Sequence, residues 1–190
     1  RSRVISQLCR GFGCDERRNS CHFHKRIKGG GLISDIKKVF SLSQLQALIE
    51  SEKQKGRKIV LANGCFDLIH VGHIRYLRGA RECGDVLVVA LNSDSSVRLL
   101  KGPGRPLLTQ EERSLILSAL DMVDYITVFD EKTVHRILLA IKPDVHAKGS
   151  DYSVETVPER ETVKNYGGET VIVGGDKVRS TSEIIHAIAG

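Results

Sequence analysis

The chain has 190 residues, enough for one domain of ordinary size plus an arm, and its 41% hydrophobic content includes no apolar run long enough to span a membrane. The formal charge of +6 invites a nucleic-acid reading, but residues 1–30 hold eight of the 29 cations and two of the 23 acids, leaving 21 of each sign on the remainder. A neutral domain behind a basic arm argues against a nucleic-acid partner. Five cysteines, an odd number, imply no disulfide framework and fit a reducing, cytoplasmic compartment.

Residues 1–35 read as a basic, disordered arm with a glycine linker (Gly29, Gly30 and Gly31), and residues 36–190 as the folded domain. Cys9, Cys14, Cys21, His22 and His24 offer zinc ligands, but their spacing matches no usual zinc pattern. Ser41 or Ser43 caps a first helix over 45–54. Residues 59–62 form a buried strand that turns through Asn63, Gly64, Cys65, Phe66 and Asp67. His70-Val71-Gly72-His73 then enters a helix closed by Gly84.

A second strand over 85–92 ends at Asn92, Ser93 and Asp94, and residues 98–106 read as a cationic loop, either a solvated connection or an anion-binding lid. Thr109 and Glu112 form a capping box for a helix to about 120. A strand over 125–129, a helix over 133–141 and a short strand over 145–147 lead to Lys148, Gly149, Ser150 and Asp151. A helix after Pro158 stops at Gly167, a fifth strand covers 170–173, and Arg179-Ser180-Thr181-Ser182 precedes an apolar helix over 184–188. This alternation predicts an α/β fold, a Rossmann-like open parallel sheet with helices on both faces.

In such a fold the strand carboxyl ends share one crevice. Four polar clusters fall there: Asn63 with His70 and His73, Asn92 with Asp94, Lys148 with Asp151, and Arg179, Ser180, Thr181 and Ser182. Two imidazoles beside a helix N-terminus, with Gly72 admitting a ligand to the backbone, suit a phosphate. A metal site would need a third ligand, which only Cys65 or Asp67 offers nearby, and turn-capping is the bland alternative. For Arg179 to Ser182 helix capping, and for Lys148 surface exposure, stand as alternatives to anion binding. Neither a P-loop nor a dinucleotide glycine motif between strand and helix is present.

These residues resemble the HxGH nucleotidyltransferase superfamily, through Asn63 to Asp67, His70 to His73 and Arg179 to Ser182. Asn92-Ser93-Asp94, Lys101-Gly102, Arg105-Pro106, Glu112-Arg113 and Lys148 to Tyr152 are similar to the adenylyltransferases that activate D-glycero-β-D-manno-heptose 1-phosphate, over about residues 36–190. The chain departs from that pattern at Ser150 and Ser182. The resemblance implies AMP transfer from ATP to a sugar 1-phosphate with release of pyrophosphate, Mg²⁺ accompanying the nucleotide and no protein metal site. It implies catalytic roles for His70, His73, Lys101 and Lys148. Nucleotide contacts are expected from Asn63, Gly64, Cys65, Phe66, Gly72, Asn92, Arg179, Ser180, Thr181 and Ser182. The acceptor or ribose end falls to Asp67, Asp94, Arg113 and Asp151. A cytidylyltransferase making a CDP-polyol or CDP-amino-alcohol and a non-catalytic nucleotide sensor are the alternatives. The expected partners are ATP and a sugar phosphate, with no nucleic acid or membrane, and homo-oligomerisation is open.

Overall fold

The computed structural model describes residues 37–175. Elements in chain order are α1 (Leu42–Gln54), β1 (Ile59–Gly64), α2 (Val71–Arg81), β2 (Val86–Asn92), α3 (Asp94–Lys101), α4 (Gln110–Ser118), β3 (Tyr125–Phe129), α5 (His135–Ile141), β4 (Val145–Gly149), α6 (Arg160–Asn165) and β5 (Glu169–Val173). All strands pair in parallel, in the order β3-β2-β1-β4-β5. The chain therefore reverses its winding between β1 and β4, the switch point where such sheets open a crevice. The expected Rossmann-like α/β architecture is present.

Both sheet faces are covered, and alternate strand residues divide between them. Val60, Ala62, Leu87, Val89 and Leu91 pack with Leu77 and Ala80 of α2 and Leu117 of α4. Ile59, Leu61, Val86, Val88 and Ala90 pack on the other side with Leu45 and Ile49 of α1, Ile137 and Leu138 of α5, and Val163 of α6. Burial on both faces is why the strands read as continuous apolar runs rather than alternating ones.

Local signals held at the helix starts. The Ser41 side chain caps α1 and exchanges hydrogen bonds with Gln44, and Thr109 and Glu112 form the expected reciprocal box on α4. Three expectations need correction. Residues 98–101 are the last turn of α3 rather than loop, because Ser93 caps a helix whose Val97 is buried. β1 and β4 each run two residues further than the apolar pattern, so Asn63, Gly64, Lys148 and Gly149 lie within strands. Gly84 does not close α2 by left-handed geometry: the helix stops at Arg81, and a Cβ on Gly84 would meet Val60 Cγ2 at 2.7 Å and the Lys58 carbonyl at 2.8 Å. Glycine is required there by the close approach of β1. Residues 1–36 and 176–190, with the arm cysteines, Arg179 to Ser182 and the 184–188 helix, lie outside the described residues.

Replacing Gly84 with alanine is expected to destabilise the domain by about 1–3 kcal/mol, the usual cost of overpacking. Denaturant unfolding of wild type and Gly84→Ala measures it. Equal midpoints would show that the backbone yields there.

Candidate functional site

β1 and β4 pair only as far as Ala62 opposite Ala147. Beyond that point they diverge, and Tyr76 of α2 fills the opening. Its hydroxyl accepts from the Asn63 N–H at 3.1 Å and donates to the Ala147 carbonyl at 2.9 Å. Burial drives its phenol pKa up, so it stays a neutral bridge. Next to it the buried His146 imidazole joins the strands again, through Nε2 at 3.1 Å from Asn63 Oδ1. With an amide oxygen as partner, that nitrogen carries the proton.

Above this bridge lies a cleft of about 620 Å³. Asn63, Gly64, Cys65, Phe66, Asp67, His70, Gly72, His73, Asn92, Lys101, Lys148 and Asp151 all line it. The structure thus brings the clusters at the ends of β1, β2 and β4 together around one volume. That volume is of a size usual for a small-molecule site.

The His-x-Gly-His segment is itself a capping box made of imidazoles. His70 is the N-cap of α2; its Nδ1 accepts from the Gly72 N–H at 3.1 Å, and its own N–H points to His73 Nδ1 at 3.4 Å. A nitrogen that accepts has no proton, so each neutral ring carries its proton on Nε2. The ring centroids are 3.9 Å apart. Burial and the neighbouring His70 push the His73 pKa down to about 4, with Asp151 and the Leu68 carbonyl pulling the other way. At neutral pH His73 is therefore a neutral hydrogen-bond donor.

The turn before it is strained. Phe66 adopts φ +46°, a left-handed conformation costly for a bulky residue. Its buried ring rests 5.2 Å from His73 and 6.2 Å from Tyr76, centroid to centroid. Gly64 accommodates that ring: a Cβ there would lie 3.1 Å from Phe66 Cε2. Cys65, adjacent, has its thiol pKa raised by burial, which keeps it protonated and a poor nucleophile.

Arg113 and Asp94, expected at the acceptor or ribose end, do not line the cleft. The Arg113 side chain is fully buried. It donates to the carbonyls of Leu108 at 3.0 Å, Cys65 at 2.6 Å and Asn92 at 2.8 Å, and to Asp94 Oδ1 at 2.7 Å. Every guanidinium nitrogen is committed within the protein, so Arg113 fastens the ends of β1 and β2 to the loop before α4. Asp67 does line the cleft, but its carboxylate accepts from the Leu107 N–H at 2.7 Å and the Leu108 N–H at 3.2 Å and lies 2.7 Å from Arg105 Nε. It holds the 105–108 loop in place.

The remaining cations differ in their pairing. Lys148 lies 3.3 Å from Glu159 and Arg105 pairs with Asp67, whereas Lys101 and Lys132 make no ion pair among the described residues. Lys132, Thr133, Glu159 and Tyr76 are lining residues that the sequence reading did not select. Lys132 and Thr133 follow β3, so the same carboxyl-end position that marks the other clusters applies to them. Tyr76 stands three residues after His73 on the same helical face, a spacing visible in the sequence.

His146 provides a test. Burial lowers its pKa to about 3 from a usual 6.5, with Lys148 and His135 adding to the effect. A depressed histidine pKa means the native state refuses a proton the unfolded chain accepts, so stability present above pH 6.5 is lost as the pH falls toward the folded value. Melting temperatures at pH 7 and pH 5 should show a wild-type loss that His146→Gln reduces, by as much as about 2 kcal/mol. An identical loss in the two proteins would assign the pH dependence to other groups.

A family model described as Cytidylyltransferase-like matches residues 61–188. The bifunctional protein HldE of Geobacter metallireducens is 50% identical over 151 residues, covering 80% of this chain and 31% of that protein. The HldE of Wolinella succinogenes is 45% identical over 153 residues, again 80% of this chain and 31% of the relative. The chain thus spans about a third of the length of these curated relatives. Among solved structures, a lipopolysaccharide core biosynthesis protein from Thermoplasma volcanium aligns with a TM-score of 0.55 at 29% identity, covering 65% of this chain and all of that one. A pantoate-beta-alanine ligase from Francisella tularensis aligns at 0.55 with 16% identity, over 76% of this chain and 69% of its own, a likeness of fold.

Proposed function

The chain belongs to the cytidylyltransferase-like family of HxGH nucleotidyltransferases, and from that premise we propose that it transfers AMP from ATP to a sugar 1-phosphate, a heptose 1-phosphate, giving an ADP-sugar and pyrophosphate. The observation that carries the reading is the His70–His73 pair at the end of β1, with His73 held neutral by burial, in one cleft with Lys101 and Lys148. Heptose as the sugar rests on the motif likeness of Asn92-Ser93-Asp94, Lys101-Gly102, Arg105-Pro106 and Lys148 to Tyr152 to heptose 1-phosphate adenylyltransferases.

An acceptor phosphate oxygen attacks the α-phosphorus, the bond between the α-phosphorus and its bridging oxygen breaks, and pyrophosphate leaves. Positioning and charge stabilisation do most of this work. His70 and His73 donate from Nε2 to the α- and β-phosphates as negative charge builds. Lys101 and Lys148, with Arg179, Ser180, Thr181 and Ser182, hold the departing β- and γ-phosphates. Asn63, Gly64, Cys65, Phe66, Gly72 and Asn92 form the nucleotide wall, and Asp151 reaches the acceptor. A protonated Cys65 is a poor nucleophile, in keeping with direct attack by the acceptor. Mg²⁺ fits as a companion of the triphosphate: Asp67 and Glu159 are already paired with Arg105 and Lys148, and no cluster of three His, Cys, Asp or Glu among the described residues could hold a metal. When bound, the ion neutralises phosphate charge.

No helix among the described residues is long and apolar enough to cross a membrane. A cytoplasmic setting, where ATP is available, fits the free thiols of Cys65 and Cys83. The family's description favours one second reading, a CTP-dependent enzyme acting on a polyol or amino-alcohol phosphate.

Pyrophosphate release with Mg²⁺ and a panel of nucleoside triphosphates crossed with sugar and polyol phosphates tests the proposal. Release with ATP and a heptose 1-phosphate is expected. Release with CTP alone would move the chain to the second reading, and nucleotide binding without release for any pair would make it a sensor.

A further inference from the structure

Lys148 and Glu159 are both almost completely buried, with side chains 7% and 5% exposed, yet both line the cleft. They come from different elements: Lys148 is near the end of β4, and Glu159 immediately precedes α6, where its carbonyl accepts from the Val163 N–H at 3.0 Å. The Lys148 ammonium lies 3.3 Å from Glu159 Oε2 and 5.1 Å from the centre of the Tyr152 ring. Glu159 Oε2 makes no hydrogen bond among the described residues, and the Lys148 ammonium is its charged neighbour there. An ammonium has three donors. With the carboxylate on one side and the aromatic face on another, the third side is free for an anion in the cleft.

We propose that Glu159 is a positioning residue for nucleotidyl transfer: its carboxylate fixes the Lys148 ammonium against the cleft wall, ready to receive the leaving phosphates. The inference rests on the proposed role of Lys148 in that transfer. Lys101, exposed and without an ion pair among the described residues, has no such restraint there, so the two lysines are unequal. Lys101 meets the phosphates as a mobile chain and Lys148 as a preset one.

Electrostatics agree with the geometry. Burial is the largest influence on Lys148 and lowers its pKa, while Glu159 pulls it back up. The other titratable or charged groups around the cleft are His146 on β4, Asp151 and Tyr152 on the following loop, His70, His73 and Tyr76 at α2, Cys65 and Asp67 after β1, and Lys101, Arg105 and Lys132 across it. Of the carboxylates, Asp67 is matched by Arg105 and Glu159 is the one in ion-pair contact with Lys148, so Glu159 is the principal support for a charged Lys148. Removing it leaves a buried ammonium, which gives up its proton more readily.

The test titrates the Lys148 side-chain signal by NMR in the full chain, the signal being identified by its loss in Lys148→Arg. It is paired with the pH profile of kcat/KM for pyrophosphate release. In Glu159→Gln the Lys148 pKa is expected to fall by about one unit or more, the scale of one lost opposite charge. The alkaline limb of the rate profile should move down with it, and Glu159→Asp should restore most of both. The NMR arm does not depend on turnover, and Glu159→Ala, which also removes the charge, supplies it if the glutamine variant folds poorly. An unchanged Lys148 pKa would overturn the proposal. A lower melting temperature with an unmoved alkaline limb would reduce Glu159 to a structural role. A shifted Lys148 pKa with an unshifted limb in an active enzyme would remove the pair from transfer while leaving the proposed reaction standing. Absence of turnover in wild type would count against the proposed reaction itself.

Discussion

The cleft depends on how β1 and β4 are held where they part. Their ladder ends at Ala62 and Ala147, and beyond it each strand carries backbone groups with no partner across the gap. Buried polar groups left without partners are costly. The Tyr76 hydroxyl, bonded to Asn63 on one side and Ala147 on the other, satisfies both strands while keeping them apart. Because Tyr76 sits on the helix that His70 caps, the same residue fixes the imidazole pair above the opening. Arg113 performs the matching task on the β2 side, gathering Cys65, Asn92, Asp94 and Leu108 around one buried guanidinium. The site's shape is thus set by two buried hubs, Tyr76 and Arg113.

Charge follows the same plan. The proposed triphosphate and sugar-phosphate substrates would bring several negative charges, yet a cluster of bare cations would repel itself. Here Arg105, Arg113 and Lys148 are each matched by a carboxylate, on Asp67, Asp94 and Glu159. Among the described residues Lys101 and Lys132 bring charge to the wall without an ion pair, and His73 offers a directed donor without a charge of its own. Directed neutral donors stabilise charge as it develops without holding the ground state too tightly.

Much of this was legible in the sequence because it follows from local rules. Apolar runs gave the strands, Ser41 and Thr109 marked helix starts, and the rule that ligands sit at strand carboxyl ends put His70, His73, Asn92 and Lys148 into one cleft. What failed was the apportioning of roles among charged residues. Arg113 and Asp94 fall among motif residues, and their type suits a phosphate or a ribose. Only their three-dimensional neighbours show that both are turned to each other and to backbone carbonyls. Glu159 was invisible for the complementary reason: a glutamate at a helix start looks like an ordinary favourable charge, and its pairing with a lysine eleven positions earlier is set by how β4 and α6 pack. Lys132 was within reach of the rule, had it been applied to β3 as well.

In the proposed reaction the two imidazoles, fixed by their own capping box and with His73 neutral, stabilise the charge that develops on the phosphates. Turnover of His73→Ala, with its fold verified by circular dichroism and melting, addresses that role most directly. A loss on the order of 10²–10³-fold in turnover with the fold intact is the predicted result. Turnover equal to wild type in a folded His73→Ala protein would contradict it.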